Sequence, residues 1–593
     1  MTHADEMVKW LGELGYTHCF FVSGGNSMHL LNAARQRMVC IPVVHEVSAG
    51  IAAEYFNESH LSSGKAFVLV TAGPGLTNLV TALAGAYLES RELLVLGGQV
   101  KSSDLADKGL RQRGIQEVDG IAIARPVAKS VRRIEKPIAR ADFCQLVKSG
   151  STDRKGPVFL EVCLDVQGAP AKGNDDVAIA ESTEPLSTSE IDNASLGKVA
   201  ELLAKSRRPV LLVGGGVSRN QFYSLIPEVE RLGIPVMTTW NAADRLGANH
   251  HLYFGRPNTW GQRSSNLILQ GADLVIAAGT RLGMQQTGFN WSQFVPNGDV
   301  VQVDIDKTEL EKGHPDIGLA ICADASSLLR RLFEKSVSTP VWSAWVDLAR
   351  RVRARIPLSE PINGSFDGFL NPYEFALSLS ELCDEVDTVV PCSSGGAFTV
   401  MMQAFNQRSG QVIITNKGLA SMGYGLAGAI GAALADRSRR TVLVEGDGGF
   451  SQNLQELATV NVQNLNLKIF IFANNGYASI RMTQKNYFDG AYLGCDIESG
   501  LGFPDWQTLA KAFGIKSKIL SEDFASDREF LSAWGDAEPW LFVVPVHPEQ
   551  TYFPKISSQV TATGGMESAP LHKMSPPLSD ELIADLALEL GLK

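Results

Sequence analysis

"VLVEGDGGFSQN", residues 442–453, decides how the chain is read. An apolar run ends at Glu445, and three glycines (Gly446, Gly448, Gly449) follow at once. A strand that passes through such a turn into a helix offers free backbone N–H groups to a phosphate. Yet Glu445 and Asp447 put negative charge where the phosphate would rest. A divalent cation resolves the conflict, because Asp447 offers a hard oxygen to Mg²⁺ or Ca²⁺ and the cation can carry the phosphate. Alone, a G-D-G is simply what a tight turn selects. A second motif changes the weight: 27 residues after Asp447 comes "FANNGYASI", another β-rich run, ending in Asn474, Asn475 and Gly476. Neighbouring strands of a parallel sheet end side by side, and open α/β sheets bind ligands there. The two motifs together point to a metal–diphosphate site.

The rest of the 593-residue chain agrees with α/β architecture. Its length calls for several cores, and 56 glycines suit many tight strand-to-helix turns. A net charge of −11 argues against a nucleic-acid binder. Eight scattered cysteines form no C-x-x-C pair, which speaks against a disulfide framework or structural zinc and for a reducing cytoplasm. The start, "MTHADEMVKWLGELGY", reads as a polar amphipathic helix and not as a signal peptide. Apolar runs such as "KIFIFA" are too short to span a membrane.

Helical patterns alternate with β-rich runs in three stretches. The first carries "HCFFVSGG", "CIPVVHE", "AFVLVTAG", "ELLVLGGQV" and "PVFLEVCLD". The second carries "RPVLLVGGGV", "IPVMTTW", "ADLVIAAGTRL" and "DVVQVDID", and the third "DTVVPCSS", "QVIITN", "RTVLVEGDG", "LKIFIFANN" and "WLFVVPV". Such alternation predicts three consecutive doubly wound domains with mainly parallel sheets. Polar, Pro- and Gly-bearing stretches at 167–190 and 336–368 read as linkers, and the tail beyond Lys555 reads as a surface wrap ending in a helix.

G-D-G followed by N-N-G-Y at this distance resembles the signature of thiamine diphosphate-dependent enzymes. The whole chain is most similar to their acetolactate synthase branch. The resemblance implies a pyrimidine-binding domain at 1–168, a middle nucleotide-binding-like domain at 190–335, a diphosphate-binding domain at 368–555 and a tail at 556–593. It implies that Asp447, Asn474 and the Gly476 carbonyl bind Mg²⁺. The cofactor would touch Gly73, Asn78, Ser394, Gly395, Gly396, Gly446, Gly448, Gly449, Tyr477 and Ala478. The Ala420 carbonyl would accept from its amine, and Met422 would wedge between its rings. Glu46, in "VVHEVSAG", matches the family's activating glutamate, which hydrogen-bonds the aminopyrimidine so that the cofactor loses its reactive proton. Taken alone, Glu46 could equally be a first-turn glutamate on a helix dipole. Gln116, Gly24 and Gly25 would stand near the reacting carbon.

The resemblance also implies a cofactor shared between subunits, hence a homodimer or a dimer of dimers, with no nucleic-acid or membrane partner. In the middle domain Gly214, Gly215, Arg281, Asp304 and Asp324 lie where the branch binds FAD, although related enzymes keep that domain empty or hold an adenine nucleotide. The expected reaction is decarboxylation of a 2-oxo acid, pyruvate above all, and transfer of a two-carbon unit to a carbonyl acceptor. Thr483 stands where acetolactate synthases place a pocket-shaping tryptophan. That leaves open whether the acceptor is a second 2-oxo acid or a larger ketone such as a nucleotide-activated ketosugar. Arg481, Gln484 and Lys485 are candidates to read an acceptor's anionic group, and residues 547–555 read as a lid. Two other readings remain: a flavin-linked oxidase or non-ligating decarboxylase, and a catalytically silent nucleotide-binding assembly protein.

Overall fold

The computed structural model describes residues 1–107, 109–171, 190–334, 342–560 and 566–592. Most of the expected linker at 167–190 and the start of the one at 336–368 lie outside them. The chain separates into two compact units, one of Met1–Leu186, Asp387–Gly395 and Ile414–Pro545, the other of Ser187–Val386, Gly396–Ile413 and Val546–Lys593.

The first unit holds two parallel sheets. One uses β1 (Tyr16–Phe21), β2 (Val39–Pro42), β3 (Lys65–Val70), β4 (Leu93–Gln99), β5 (Ser130–Ile134) and β6 (Pro157–Cys163), in the order β2-β1-β3-β4-β6-β5. Val, Leu and Phe fill its inner strands, as burial on both faces demands. Helices α1 (His3–Glu13), α2 (Met28–Ala34), α3 (Glu46–Ser59) and α4 (Pro74–Leu88) cover it.

In the second unit one parallel sheet has β7 (Pro209–Val213), β8 (Val236–Thr238), β9 (Leu274–Ala278), β10 (Asp299–Asp304) and β11 (Leu319–Cys322), in the order β11-β10-β9-β7-β8. The tail belongs to its core instead of wrapping the surface: Leu571, Met574, Leu586 and Leu590 are buried with the sheet's helices. Further along the chain come β12 (Thr388–Val390), β13 (Val412–Ile413), β14 (Thr441–Gly446), β15 (Leu467–Ala473), β16 (Lys516–Ile519) and β17 (Trp540–Pro545), and short strands at Lys555–Ile556, Ser558–Val560, Met566–Ser568 and Met574–Ser575 pair as two small antiparallel ladders. Of these, β12-β14-β15-β17-β16 form the other parallel sheet of the first unit.

Within the first unit α3 packs tightly against the helix Tyr424–Ala435, whose twelve residues are all buried. Small residues make the approach possible. A Cβ on Gly431 would stand 2.0 Å from the Ala52 carbonyl oxygen, and one on Gly428 would strike the Tyr55 ring. A buried polar group sits at this seam. Arg91 donates to Glu54 at 2.7 Å and to the Thr415 carbonyl at 2.6 Å, while Asn416 and Tyr424 also donate to Glu54. With Glu54 fully buried, these donors meet the requirement that a desolvated carboxylate be paired.

Candidate active site

β14 and β15 run in parallel with Gly446 opposite Phe472, so the two motifs of the opening stretch end together. Asp447 begins a single helical turn, Asp447–Phe450, directly after β14. Its Oδ1 accepts from the Gly448 N–H at 2.8 Å, and its Oδ2 accepts from Asn474 at 3.0 Å and Gly476 at 3.3 Å. The side chain is only 1% exposed. Burial pushes its carboxyl up to about 7, against which these backbone donors work only in part. A divalent cation beside such a carboxylate would supply the charge that burial has taken away, so the donor set fits Mg²⁺. Glu445, just before it, is pushed up to about 8 by burial and accepts from the N–H groups of Gly425 and Leu426.

The neighbouring turns are shaped for backbone approach. A Cβ on Gly446 or on Gly395 would meet nothing within 4 Å, and Gly395 opens the helix Gly395–Ala404 with φ +82°. Ser394 and Gly395 therefore stand at a helix start suited to an anion, with Gly396 next in the same helix. Gly448 is held close to the Tyr477 ring, which leaves no room for a side chain. Ala478 begins the helix Ala478–Tyr487. Ala420 takes a left-handed φ of 55°, costly for alanine, in the loop that also carries the exposed Met422. Cys392 and Asn475 share that strained conformation.

A second cluster forms at the ends of β1 to β3. Glu46 is the first residue of α3, is 8% exposed, and accepts from Asn78 Nδ2 at 3.0 Å. Asn78 thus acts on Glu46 directly. A Cβ on Gly24 would collide with Thr71 and one on Gly73 with the Gln116 carbonyl, whereas one on Gly25 would meet nothing within 4 Å. Gln116 also has a positive φ of 62°. Among the described residues no hydrogen bond joins Glu46 to Asp447.

Sequence reading did not single out Glu456. It is fully buried, and its carboxylate accepts from the N–H groups of Val44 at 3.1 Å and His45 at 3.0 Å, fixing the approach to Glu46. Nothing local in "NLQELATV" signals a partner that far along the chain. Arg481, expected to reach outward, is buried instead. It bonds Asp496 at 3.3 Å and the Asn475 carbonyl at 3.3 Å, and Gln484 holds both backbone groups of Leu493. These side chains lace the segment after the helix onto the end of β15. Lys485 is exposed, and so is Thr483, whose hydroxyl donates to the Ser479 carbonyl.

In the other unit, Gly214 and Gly216 pack against Gly279, where a Cβ on Gly214 would come 2.2 Å from a carbonyl oxygen. Gly215 is looser. Arg281 is exposed, Asp304 accepts from the Asp306 N–H and is pushed up by burial, and Asp324 bonds the Ser327 N–H at 2.8 Å. The stretch 547–555 is no loose lid. His547 stacks on Phe366 at 3.8 Å, Asn363 and Tyr373 donate to the Phe553 carbonyl, and Gln403 donates to that of Pro554.

Comparison with known proteins bears on these geometries. Residues 1–123 match the family model "Thiamine pyrophosphate enzyme, N-terminal TPP binding domain", 196–332 the central domain and 394–537 the C-terminal TPP binding domain. The chain is 30% identical over 565 residues to the acetolactate synthase isozyme 1 large subunit of Escherichia coli (strain K12), across 94% of this chain and 96% of that one. It is 29% identical to a probable acetolactate synthase large subunit of Methanocaldococcus jannaschii, across 93% of each. The Lactococcus lactis acetolactate synthase large subunit is 28% identical over a similar span. The chain therefore belongs to the thiamine pyrophosphate enzymes, as an acetolactate synthase-like carboligase.

Proposed function

We propose that the enzyme takes pyruvate as donor, with Mg²⁺ as its metal, and joins the remaining two-carbon unit to a carbonyl acceptor. The observation that carries this is Asp447, a buried carboxylate fixed by backbone donors from both strand ends. Thiamine diphosphate, when bound, supplies a nucleophilic carbon and accepts the charge left when CO₂ departs. Asp447, the Asn474 side chain and the Gly476 carbonyl would hold the metal. Ser394, Gly395, Gly396, Gly446, Gly448 and Gly449 would face the diphosphate, flanked by Tyr477 and Ala478. Glu46, held by Asn78, would keep a proton shared at a ring nitrogen, while the Ala420 carbonyl and Met422 would fix the ring's attitude. Gly73 would adjoin the cofactor, and Gly24, Gly25 and Gln116 would orient the reacting carbonyl.

The acceptor we infer is a ketone larger than pyruvate, of the nucleotide-activated ketosugar class. The exposed Thr483, with Ile480 and Tyr487 exposed on the same helix, leaves room for it. Mass spectrometry of products from isotopically labelled pyruvate with a panel of acceptors tests this. Adducts of a nucleotide ketosugar support it; acetolactate as the sole product returns the acceptor to a second 2-oxo acid. Dye reduction with pyruvate, without any adduct, would instead mean an oxidase.

The proposal extends to three domains at 1–168, 190–335 and 368–555, a homodimer or dimer of dimers, and a cytoplasmic location. FAD on Gly214, Gly215, Arg281, Asp304 and Asp324 is part of it, tested by an absorbance scan for flavin bands.

A further inference from the structure

β1 and β2 pair in parallel with Cys19 opposite Cys40. Residues paired this way share a face of the sheet, with strands about 4.8 Å apart. That spacing lies within the roughly 4.4–6.8 Å that a disulfide spans between Cα atoms. The face is the one beneath α1 and α2, where Cys19 is part of the core and Cys40 packs against it. The two thiols differ in setting. Cys19 is fully buried, while Cys40 is half-buried on β2, the edge strand. Burial pushes the Cys19 thiol well up, and its hydrogen bond to Cys40 holds the Cys40 thiol below its ordinary range. The more exposed sulfur is thus the more nucleophilic, with a protonated partner beside it.

We propose that Cys19 and Cys40 form a reversible redox couple. A hydroperoxide oxidises Cys40 to a sulfenic acid, itself reduced to the alcohol or to water. The Cys19 thiol then displaces hydroxide from that sulfur, giving a disulfide and one water. A dithiol reductant returns both thiols. Disulfides in reducing compartments are mostly transient and regulatory, and this one would join two strands that lead into the site. Two residues beyond the pair, Phe21 stands opposite Pro42 and its carbonyl accepts from Val43 at 3.0 Å. Beyond β1 the chain runs on to Gly24 and Gly25, and beyond β2 to Glu46 at the start of α3. Closing the Cβ atoms to about 3.8 Å draws the edge strand inward and shifts Glu46, so oxidation lowers turnover. This last clause rests on the proposed pyruvate reaction.

The experiment treats the reduced full-length protein with hydrogen peroxide, alkylates free thiols and digests with trypsin. The couple predicts peptide 10–35 joined to peptide 38–65, two hydrogens lighter than their sum. The link should vanish with dithiothreitol and be absent from both Cys40→Ser and Cys19→Ser. Both cysteines alkylated in the treated wild type, or either one linked to a different cysteine, would overturn it. Pyruvate consumption should fall at least tenfold on oxidation and recover with dithiothreitol, while Cys40→Ser keeps its rate under peroxide. A linked enzyme of unchanged rate overturns the effect on Glu46. A reduced enzyme that consumes no pyruvate contradicts the donor reading alone, because the peptide link is read without substrate.

Discussion

Asp447→Asn should move stability and cofactor affinity in opposite directions. Burial raises the Asp447 carboxyl from an ordinary 3.8 to about 7, a difference of about 4 kcal/mol in the cost of ionising it. A carboxyl whose folded pKa lies above its unfolded one binds its proton more tightly when folded. Stability of the cofactor-free protein therefore falls as pH rises from near 4 towards 7, and the cost is fully present above that. Asparagine removes the charge but offers one acceptor oxygen where the carboxylate offers two. One of the contacts from Gly448, Asn474 and Gly476 is then lost, at about 1 kcal/mol. The balance is roughly 3 kcal/mol of stabilisation at pH 8 and less than about 1 kcal/mol at pH 5, where the unfolded carboxyl has ionised but the folded one has not. Thermal scans of cofactor-free protein at both pH values read this directly. Isothermal titration with thiamine diphosphate and Mg²⁺ should show binding weakened by at least about a hundredfold, since even an outer partner of a metal ligand is worth 10–100-fold. A variant that is less stable than wild type at pH 8, or that binds the cofactor as tightly, would refute the assignment.

Three further substitutions probe other parts of the site. Asn78→Ala removes the Asn78 donor to Glu46 and should lower kcat/KM by about 10–100-fold, with cofactor affinity nearly unchanged. Thr483→Trp fills the exposed position on the helix Ala478–Tyr487, so adducts of large ketones should drop while acetolactate from pyruvate persists. Arg91→Met strands the buried Glu54 and should cost roughly 3–5 kcal/mol in denaturant unfolding. Burial already holds the Glu54 carboxyl above its ordinary range, so that loss should grow as pH rises from the carboxylate range to neutrality.

The inner strands were legible because burial on both faces makes them continuous apolar runs. Within the three parallel sheets, the strands that escaped sequence reading are β5 "SVRRI", β11 "LAIC" and β16 "KSKI". Each is an edge strand of its sheet, half exposed and polar or short, as edges tend to be. The meeting of Asp447 with Asn474 and Gly476 was legible because adjacent parallel strands carry their C-termini to one rim. Glu456 was not, since its partners lie 411 and 412 residues away and only the packing of α3 brings them close. Asn78 was expected to touch cofactor, yet its amide faces Glu46, a choice of direction that no local pattern encodes. Arg481, a candidate to read an acceptor's anionic group, is buried and bonded to Asp496, fifteen residues on, a pairing that no local pattern encodes.

The central claim is that Glu46 works on a cofactor anchored by Asp447. The most direct measurement is CO₂ release from pyruvate by wild type and Glu46→Gln, alongside thiamine diphosphate affinity in the presence of Mg²⁺. The account predicts turnover lower by about 10²–10⁴-fold with binding changed only a few-fold, because glutamine keeps the shape but cannot share the proton. Equal turnover in the two proteins, at equal cofactor occupancy, would contradict it.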